Sequence, residues 1–229
     1  MSYLFDVSLA WKSLPFVLQG LGYTLGISLA SFLISLMTGT ILALMHSSSN
    51  KLLRGLAKCY ISFFRGVPIL VVLFVLYFGL PFMKVTLTAL QASIIGFSLT
   101  CTAYSSEIIR ASLLGVDRGQ WQAARSLGLS YKSTLFKVIF PQSIRLAIPA
   151  LSNVLLDLVK GSSLTAMITV PDIFQKAKIV GGANNNYMTM YLLLAIIYWV
   201  ICTSYAALQH QLEKKFNWSN DLVVESMTM

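Results

Sequence analysis

The chain has 229 residues, 56% of them hydrophobic and 11% charged, whereas a soluble domain of this size carries about a quarter charged residues. Its uncharged runs are too long for a soluble fold, so the expected solvent is the bilayer and the expected organisation is one integral membrane domain. The net charge of +9 does not indicate nucleic acid, because the basic residues lie between apolar runs and the aromatics lie inside them.

Tyr3 to Pro15 places Leu4, Phe5, Leu9, Trp11 and Leu14 among polar residues, which suits an external segment, 1–15, lying along the membrane interface. Phe16 to Met45 follows with thirty uncharged residues, enough to cross ~30 Å of hydrocarbon. No basic region precedes it and it is too long for a cleavable signal, so it is expected to be a retained first span. Gly66 to Met83 and Val85 to Ser106 are uncharged for eighteen and twenty-two residues and read as a second and third span joined by a tight turn near Pro81 to Thr86.

Seven charges are spread from Arg110 to Arg145, which excludes a crossing there. Leu146 to Pro171 and Met188 to Leu208 supply a fourth and a fifth span. The predicted fold class is therefore all-α integral membrane with five transmembrane helices. Residues 16–212 form the span domain, a loop occupies about 111–145, and a tail follows at 213–229. Twelve of the seventeen basic residues fall on one side: Lys51, Arg54, Lys58, Arg65, six from Arg110 to Arg145, Lys214 and Lys215. That side is the cytoplasm. The N-terminus is then outside and the C-terminus cytoplasmic.

Cys59, Cys101 and Cys202 are odd in number and widely spaced, with no metal or disulfide pattern, and read as packing residues. His46 and His210 read as interfacial residues at cytoplasmic span ends, and Glu107 with Arg110 as an interfacial ion pair. Arg65 marks the inner boundary of the second span, with Pro68 in a first helical turn. Asn184 to Asn186, beside Gly181 and Gly182, form an external loop that is either a plain connector or a contact for a partner.

Inside the cytoplasmic loop, Gly119 to Leu127 has helical composition and stops at Gly128, which suits a left-handed backbone after a helix end. Ser130 is placed to cap a second helix, Tyr131 to Phe140, that Pro141 ends or kinks. Ala123 and Ala124 leave a low-relief patch flanked by Trp121, Arg125 and Leu127. Such a knob suits docking into another protein's groove; an amphipathic loop folded on the membrane surface is the alternative.

The run Gly119 to Gly128 (GQWQAARSLG), with Phe140 to Pro149 (FPQSIRLAIP), resembles the EAA loop of type I ABC import permeases of the polar amino acid family. The likeness covers most of the chain. Gly20 to Ser28 is similar to the family's first span, Phe64 to Pro68 to the start of its second, Ala103 to Arg110 to the end of its third, and Asn153 to Leu164 (NVLLDLVKGSSL) to its fourth. Gln122 stands where the family has the glutamate that names the loop, which removes a charge while keeping length and hydrogen-bonding capacity.

The resemblance implies a pathway formed by two permease chains, two copies of a cytoplasmic ABC ATPase that grip the loops, and an external solute-binding protein that delivers an amino acid. Gln122, Ala123, Ala124, Arg125 and Gly128 would then couple to the ATPase. ATP and Mg would be bound by that partner and no cofactor by this chain, in keeping with the lack of a Gly-x-x-x-x-Gly-Lys-Ser/Thr phosphate loop. The chain is then a transport subunit and not an enzyme.

A charge near mid-bilayer costs about 2.5–3.5 kcal/mol on insertion scales, so Asp157 and Lys160 need partners. At i and i+3 they either neutralise each other or face the pathway. In the second reading they bind the substrate zwitterion together with the hydroxyls of Ser162 and Ser163, with Thr165 close by. The KGSSL ending with Asp157 most resembles cystine-type permeases, with arginine, histidine and glutamine as alternative substrates.

A stand-alone secondary transporter or channel would leave the structured loop without a task and normally shows an internal repeat, which is lacking here. An intramembrane enzyme would need His-Glu-x-x-His, Gly-x-Ser-x-Gly or paired aspartates, and the sequence has none of these.

Overall fold

The computed structural model describes residues 5–216. Among these, the chain is helical with no strand: α1 (Val7–Leu18), α2 (Leu21–His46), α3 (Lys51–Gly66), α4 (Ile69–Phe74), α5 (Ala89–Leu114), α6 (Arg118–Ser126), α7 (Tyr131–Thr134), α8 (Phe140–Gly161), α9 (Ile173–Ala183) and α10 (Tyr187–Phe216). The expected tail at 213–229 lies outside the described residues from 217 onward.

The helix α2 is built inside out relative to a soluble helix. It buries Thr24, Ser28, Ser31 and Ser35 and exposes Leu29, Leu33, Met37 and Ile41. In lipid, apolar surface gains nothing by leaving its surroundings, so small and hydroxylated residues take the helix contacts and leucines face outward. Its principal neighbour is α5, which buries Ser93, Ser98, Thr102, Ser105 and Ser106. Thr38 and Thr102 hydroxyls meet at 2.6 Å and those of Ser35 and Ser105 at 3.2 Å. Gly39 lets the backbones close, since a Cβ there would stand 3.0 Å from Ser105 Cβ and 3.2 Å from the Ser106 nitrogen.

By length and composition three stretches suffice to cross a bilayer: Leu21–His46, Tyr131–Ile168 and Tyr187–Gln211. The α3–α4 pair makes a fourth if counted as one bent span. At 26 residues α5 is long enough, but the hydroxyls of its α2 face keep it out of this set.

Three boundaries differ from those read in the sequence. The first apolar run divides, because residues 16–18 finish α1 and the span proper begins at Leu21. The second is not one helix. The charged segment before it is itself helical, as α3, and after Val67 and Pro68 in extended conformations the chain turns by 99° into α4. A π turn, Val75–Gly79, and a 3-10 turn, Leu80–Met83, complete that arm. Pro141 does not end the second loop helix. A π turn at Leu135–Ile139, where Phe140 N–H bonds to the Leu135 carbonyl, leads straight into α8. A wide turn there absorbs the proline, whose ring would otherwise press on the carbonyl four residues back.

One apolar cluster joins α2, α4, α5 and α8 around Ile27, Leu73, Phe97 and Leu158. A second joins α1, α9 and α10 around Val17, Ile173 and Met190. The N-terminal segment therefore packs against the bundle through Ala10, Ser13 and Val17 while Val7 and Trp11 stay exposed. Beyond the fourth apolar run, Asp172 caps α9, its Oδ1 accepting from Gln175 N–H at 2.8 Å. Its Oδ2 is buried without a partner among the described residues, and burial pushes the carboxyl up to about 7.

Candidate substrate cavity and coupling segment

A cavity of about 530 Å³ opens where the α3–α4 bend meets α5 and α8. The bend supplies Arg65 and the backbone from Gly66 to Ile69, α5 supplies Phe97, Thr100 and Tyr104, and α8 supplies Asp157 and Gly161. The Arg65 guanidinium lies over the Tyr104 ring, 5.6 Å from its centroid, a placement that favours a cation against the π face. One apolar chamber thus carries a guanidinium and a carboxylate contributed by different helices.

Asp157 also holds Lys160, Oδ1 to Nζ at 2.8 Å. Both side chains are largely exposed on the single chain, 72% for Asp157 and 52% for Lys160. Lys160 and Ser163 look into a second cavity of about 460 Å³ with Phe174, Tyr191 and Tyr198, and the Ser163 hydroxyl donates to the Lys160 carbonyl at 2.9 Å. Ser162, grouped with them on sequence, is fully buried and its hydroxyl donates to the Val159 carbonyl at 2.8 Å. It opens to neither cavity. The 3-10 turn Ser162–Ile168 that follows α8 turns that hydroxyl back on its own helix. The four residues grouped on sequence are therefore one ion pair on the rim between two cavities, one hydroxyl beside it, and one buried helix residue.

Arg65, read from sequence as a boundary marker, lines the same cavity as Asp157. The signal that points to it is the Gly66–Val67–Pro68 break inside an apolar region, because interrupted membrane helices line cavities.

One turn beyond Tyr104 on α5, Glu107 joins α2 to α5. It accepts from Arg110 Nε at 3.1 Å and Nη2 at 3.0 Å, and lies 3.0 Å from His46 Nδ1. The expected Glu107–Arg110 pair is present, and His46 completes it.

The loop signature forms a helix, turn, helix unit. Asp117 caps α6 and Ser130 caps α7. Between them Gly128 has φ of 75°, its N–H bonds to the Arg125 carbonyl at 2.9 Å, and Leu129 N–H bonds to the Ala124 carbonyl at 3.1 Å. These two bonds are the paired closure of a Schellman turn, which requires the left-handed residue. No atom lies within 4 Å of a Cβ added at Gly128, so the demand for glycine is conformational and not steric. Gln122, Ala123 and Arg125 are exposed, whereas Ala124 is buried against the protein. Trp121 stacks on Tyr131 at 5.6 Å, and Gln142 donates to Gln120 at 3.2 Å, fixing α6 to the base of α8.

Residues 35–218 match the family of the binding-protein-dependent transport system inner membrane component. The probable amino-acid ABC transporter permease protein YckA of Bacillus subtilis (strain 168) is 54% identical over 93% of this chain and 95% of its own length. The L-cystine transport system permease protein TcyB of the same organism is 39% identical over 89% of this chain and 87% of its own. The crystal structure of an amino acid ABC transporter with histidines superposes with a TM-score of 0.88 at 33% identity, covering 92% of this chain and 98% of that one. A span-rich helical bundle with a broken helix over a charged cavity, a capped glycine-turn unit at one end, and this agreement along the whole length lead to one conclusion: the chain belongs to the binding-protein-dependent transport system inner membrane component family and is a multi-pass protein of the bacterial inner membrane.

Proposed function

We propose that this chain is the permease subunit of an ABC importer for polar amino acids, with L-cystine as its substrate. The carrying observation is the cavity in which Arg65 and Asp157 face one apolar chamber, since a zwitterion carries one pole for each. With no substrate bound, Lys160 neutralises Asp157; an incoming ammonium takes over the carboxylate and frees the Lys160 ammonium, beside the Ser163 hydroxyl, for the substrate carboxylate. Exchange of one cation for another keeps the membrane-facing carboxylate compensated throughout.

The five spans of this reading are α2, the Ile69–Met83 half of the bent arm, α5, α8 with its 3-10 turn, and α10. The N-terminus is outside, and the basic α3, α6 and α7 are on the cytoplasmic side. A second permease chain completes the pathway, and an external solute-binding protein supplies the amino acid. Two copies of an ABC ATPase bind ATP with Mg and seat on the α6 unit through Gln122, Ala123 and the Gly128 turn; buried Ala124, and Arg125 from the cavity it lines beneath α6, support that unit from within. Closure of the ATPases draws the units together, opens the cavity outward, and hydrolysis returns it inward.

Amino acid import is supported by the relatives named for it, and cystine by the Asp157 and KGSSL pattern together with the cystine permease among them. The test is uptake of labelled L-cystine by proteoliposomes holding this chain with its ATPase and binding protein, challenged by excess unlabelled cystine, arginine, histidine or glutamine. Only cystine is expected to abolish uptake. Stronger competition by another amino acid overturns the cystine assignment, and competition by none overturns amino acid import.

A further inference from the structure

A third cavity, of about 650 Å³, lies at the end of the molecule that carries the glycine turn, between the ends of α2 and α5 and the face of α6. Three guanidinium groups line it: Arg110, Arg118 and Arg125. Arg110 is compensated by Glu107. The side chains of Arg118 and Arg125 have no ion pair or hydrogen bond among the described residues. The nearby carboxylates are already engaged, Glu107 by Arg110 and His46 and Asp117 by the Gly119 N–H it caps. Two uncompensated cations two turns apart on one helix face, beside the stacked rings of Trp121 and Tyr131, form a site for an anion.

The rest of the lining says which kind. Leu44, Leu113 and Leu114 form the side of the cavity that continues the outward surface of α2 and α5, and Leu44 and Leu114 are 56% and 72% exposed. A soluble anion has no use for such a wall, whereas a lipid has both a phosphate and acyl chains. Basic pockets between helices at a cytoplasmic surface suit anionic lipid headgroups.

We propose that this cavity binds an anionic phospholipid of the inner leaflet, with Arg118 and Arg125 on its phosphate and Leu44, Leu113 and Leu114 against its chains. The lipid is then a wedge between the span ends and α6, the helix on which the ATPase seats. This rests on the cytoplasmic placement of α6 proposed above.

The test is native mass spectrometry of the assembled transporter, with its ATPase, released from bilayers of phosphatidylcholine with phosphatidylglycerol. Retained phosphatidylglycerol is expected to fall about five-fold for each arginine neutralised, in Arg118→Gln and again in Arg118→Gln with Arg125→Gln. Arg118→Lys is expected to keep it. Equal retention by the double variant overturns the proposal. Displacement by millimolar inorganic phosphate overturns it in favour of a soluble anion, and loss of the lipid when the ATPase is added to the permease overturns it in favour of an acidic surface on that partner. Labelling of Ser126→Cys, in a chain carrying Cys59→Ser, by an impermeant thiol reagent from the ATPase side alone establishes the placement of α6 separately, so failure of the lipid site and failure of the orientation are distinguishable.

Discussion

The α2–α5 seam and the α6 to α7 unit are both made of helices joined by small residues, yet they are held in opposite ways. The seam is specified by packing: Gly39, Ser35 and Thr38 meet Thr102, Ser105 and Ser106 at near-contact distances, and any added volume has nowhere to go. The coupling unit is specified by backbone conformation, with open space around Gly128 and two capped helices beside it. The seam can therefore stay rigid while the other unit stays accessible, which is what the proposed coupling to an ATPase at that end requires.

The largest effect is expected where the seam is overfilled. Gly39→Leu should cost about 3 kcal/mol or more, because backbone as well as side-chain atoms stand in the way. Loss of the folded protein on heating in detergent is the readout, and a wild-type midpoint would show that the seam has slack. At the other pole, Gly128→Val is expected to leave that midpoint almost unchanged. It should reduce ATP-dependent uptake about ten-fold, because a left-handed non-glycine backbone costs ~1–2 kcal/mol. Gly128→Asn, which tolerates that conformation, should restore most of it. Normal uptake by the valine variant removes the conformational account of the turn.

A smaller effect belongs to the capped end near the fourth span. The Asp172 carboxyl is raised from its ordinary 3.8 to about 7 by burial, so the folded state holds a proton that the unfolded chain has lost. Stability then falls as pH rises from about 4 to about 7 and levels off above. Asp172→Asn keeps the cap acceptor without the charge and is expected to raise the thermal midpoint at pH 8 and leave it level at pH 4. A variant that lowers the midpoint at pH 8 shows instead that the charged form is the one the fold uses.

Much of this arrangement was legible in the sequence, for stated reasons. The first span is legible as an uncharged run, though its start reads five residues early because the end of α1 is uncharged too, and the Gly128 turn follows from one glycine between two helical segments. The α3–α4 arm was hidden because Pro68 reads as an ordinary first-turn residue of one straight span, which conceals the bend at the Gly66–Val67–Pro68 break. Its charged first half, packed against α2 and α5, looks like a loop. Arg65 was missed for the same reason. Ser162 was misplaced because sequence adjacency to Lys160 does not say which way a hydroxyl turns once the helix tightens to 3-10. Pro141 signalled a stop or a kink, and the stop is cancelled by the preceding π turn.

The measurement that bears most directly on the division between substrate cavity and coupling unit is initial-rate uptake in reconstituted transporter for Asp157→Asn, alone and together with Lys160→Gln, with binding-protein-stimulated ATP hydrolysis followed in the same vesicles. If Asp157 receives the substrate ammonium, both variants lose about ten-fold in uptake at low substrate concentration, the scale of a hydrogen bond to a charged group, while ATP hydrolysis persists. Recovery of wild-type uptake in the double variant would contradict this and reduce Asp157 to the structural counter-ion of Lys160.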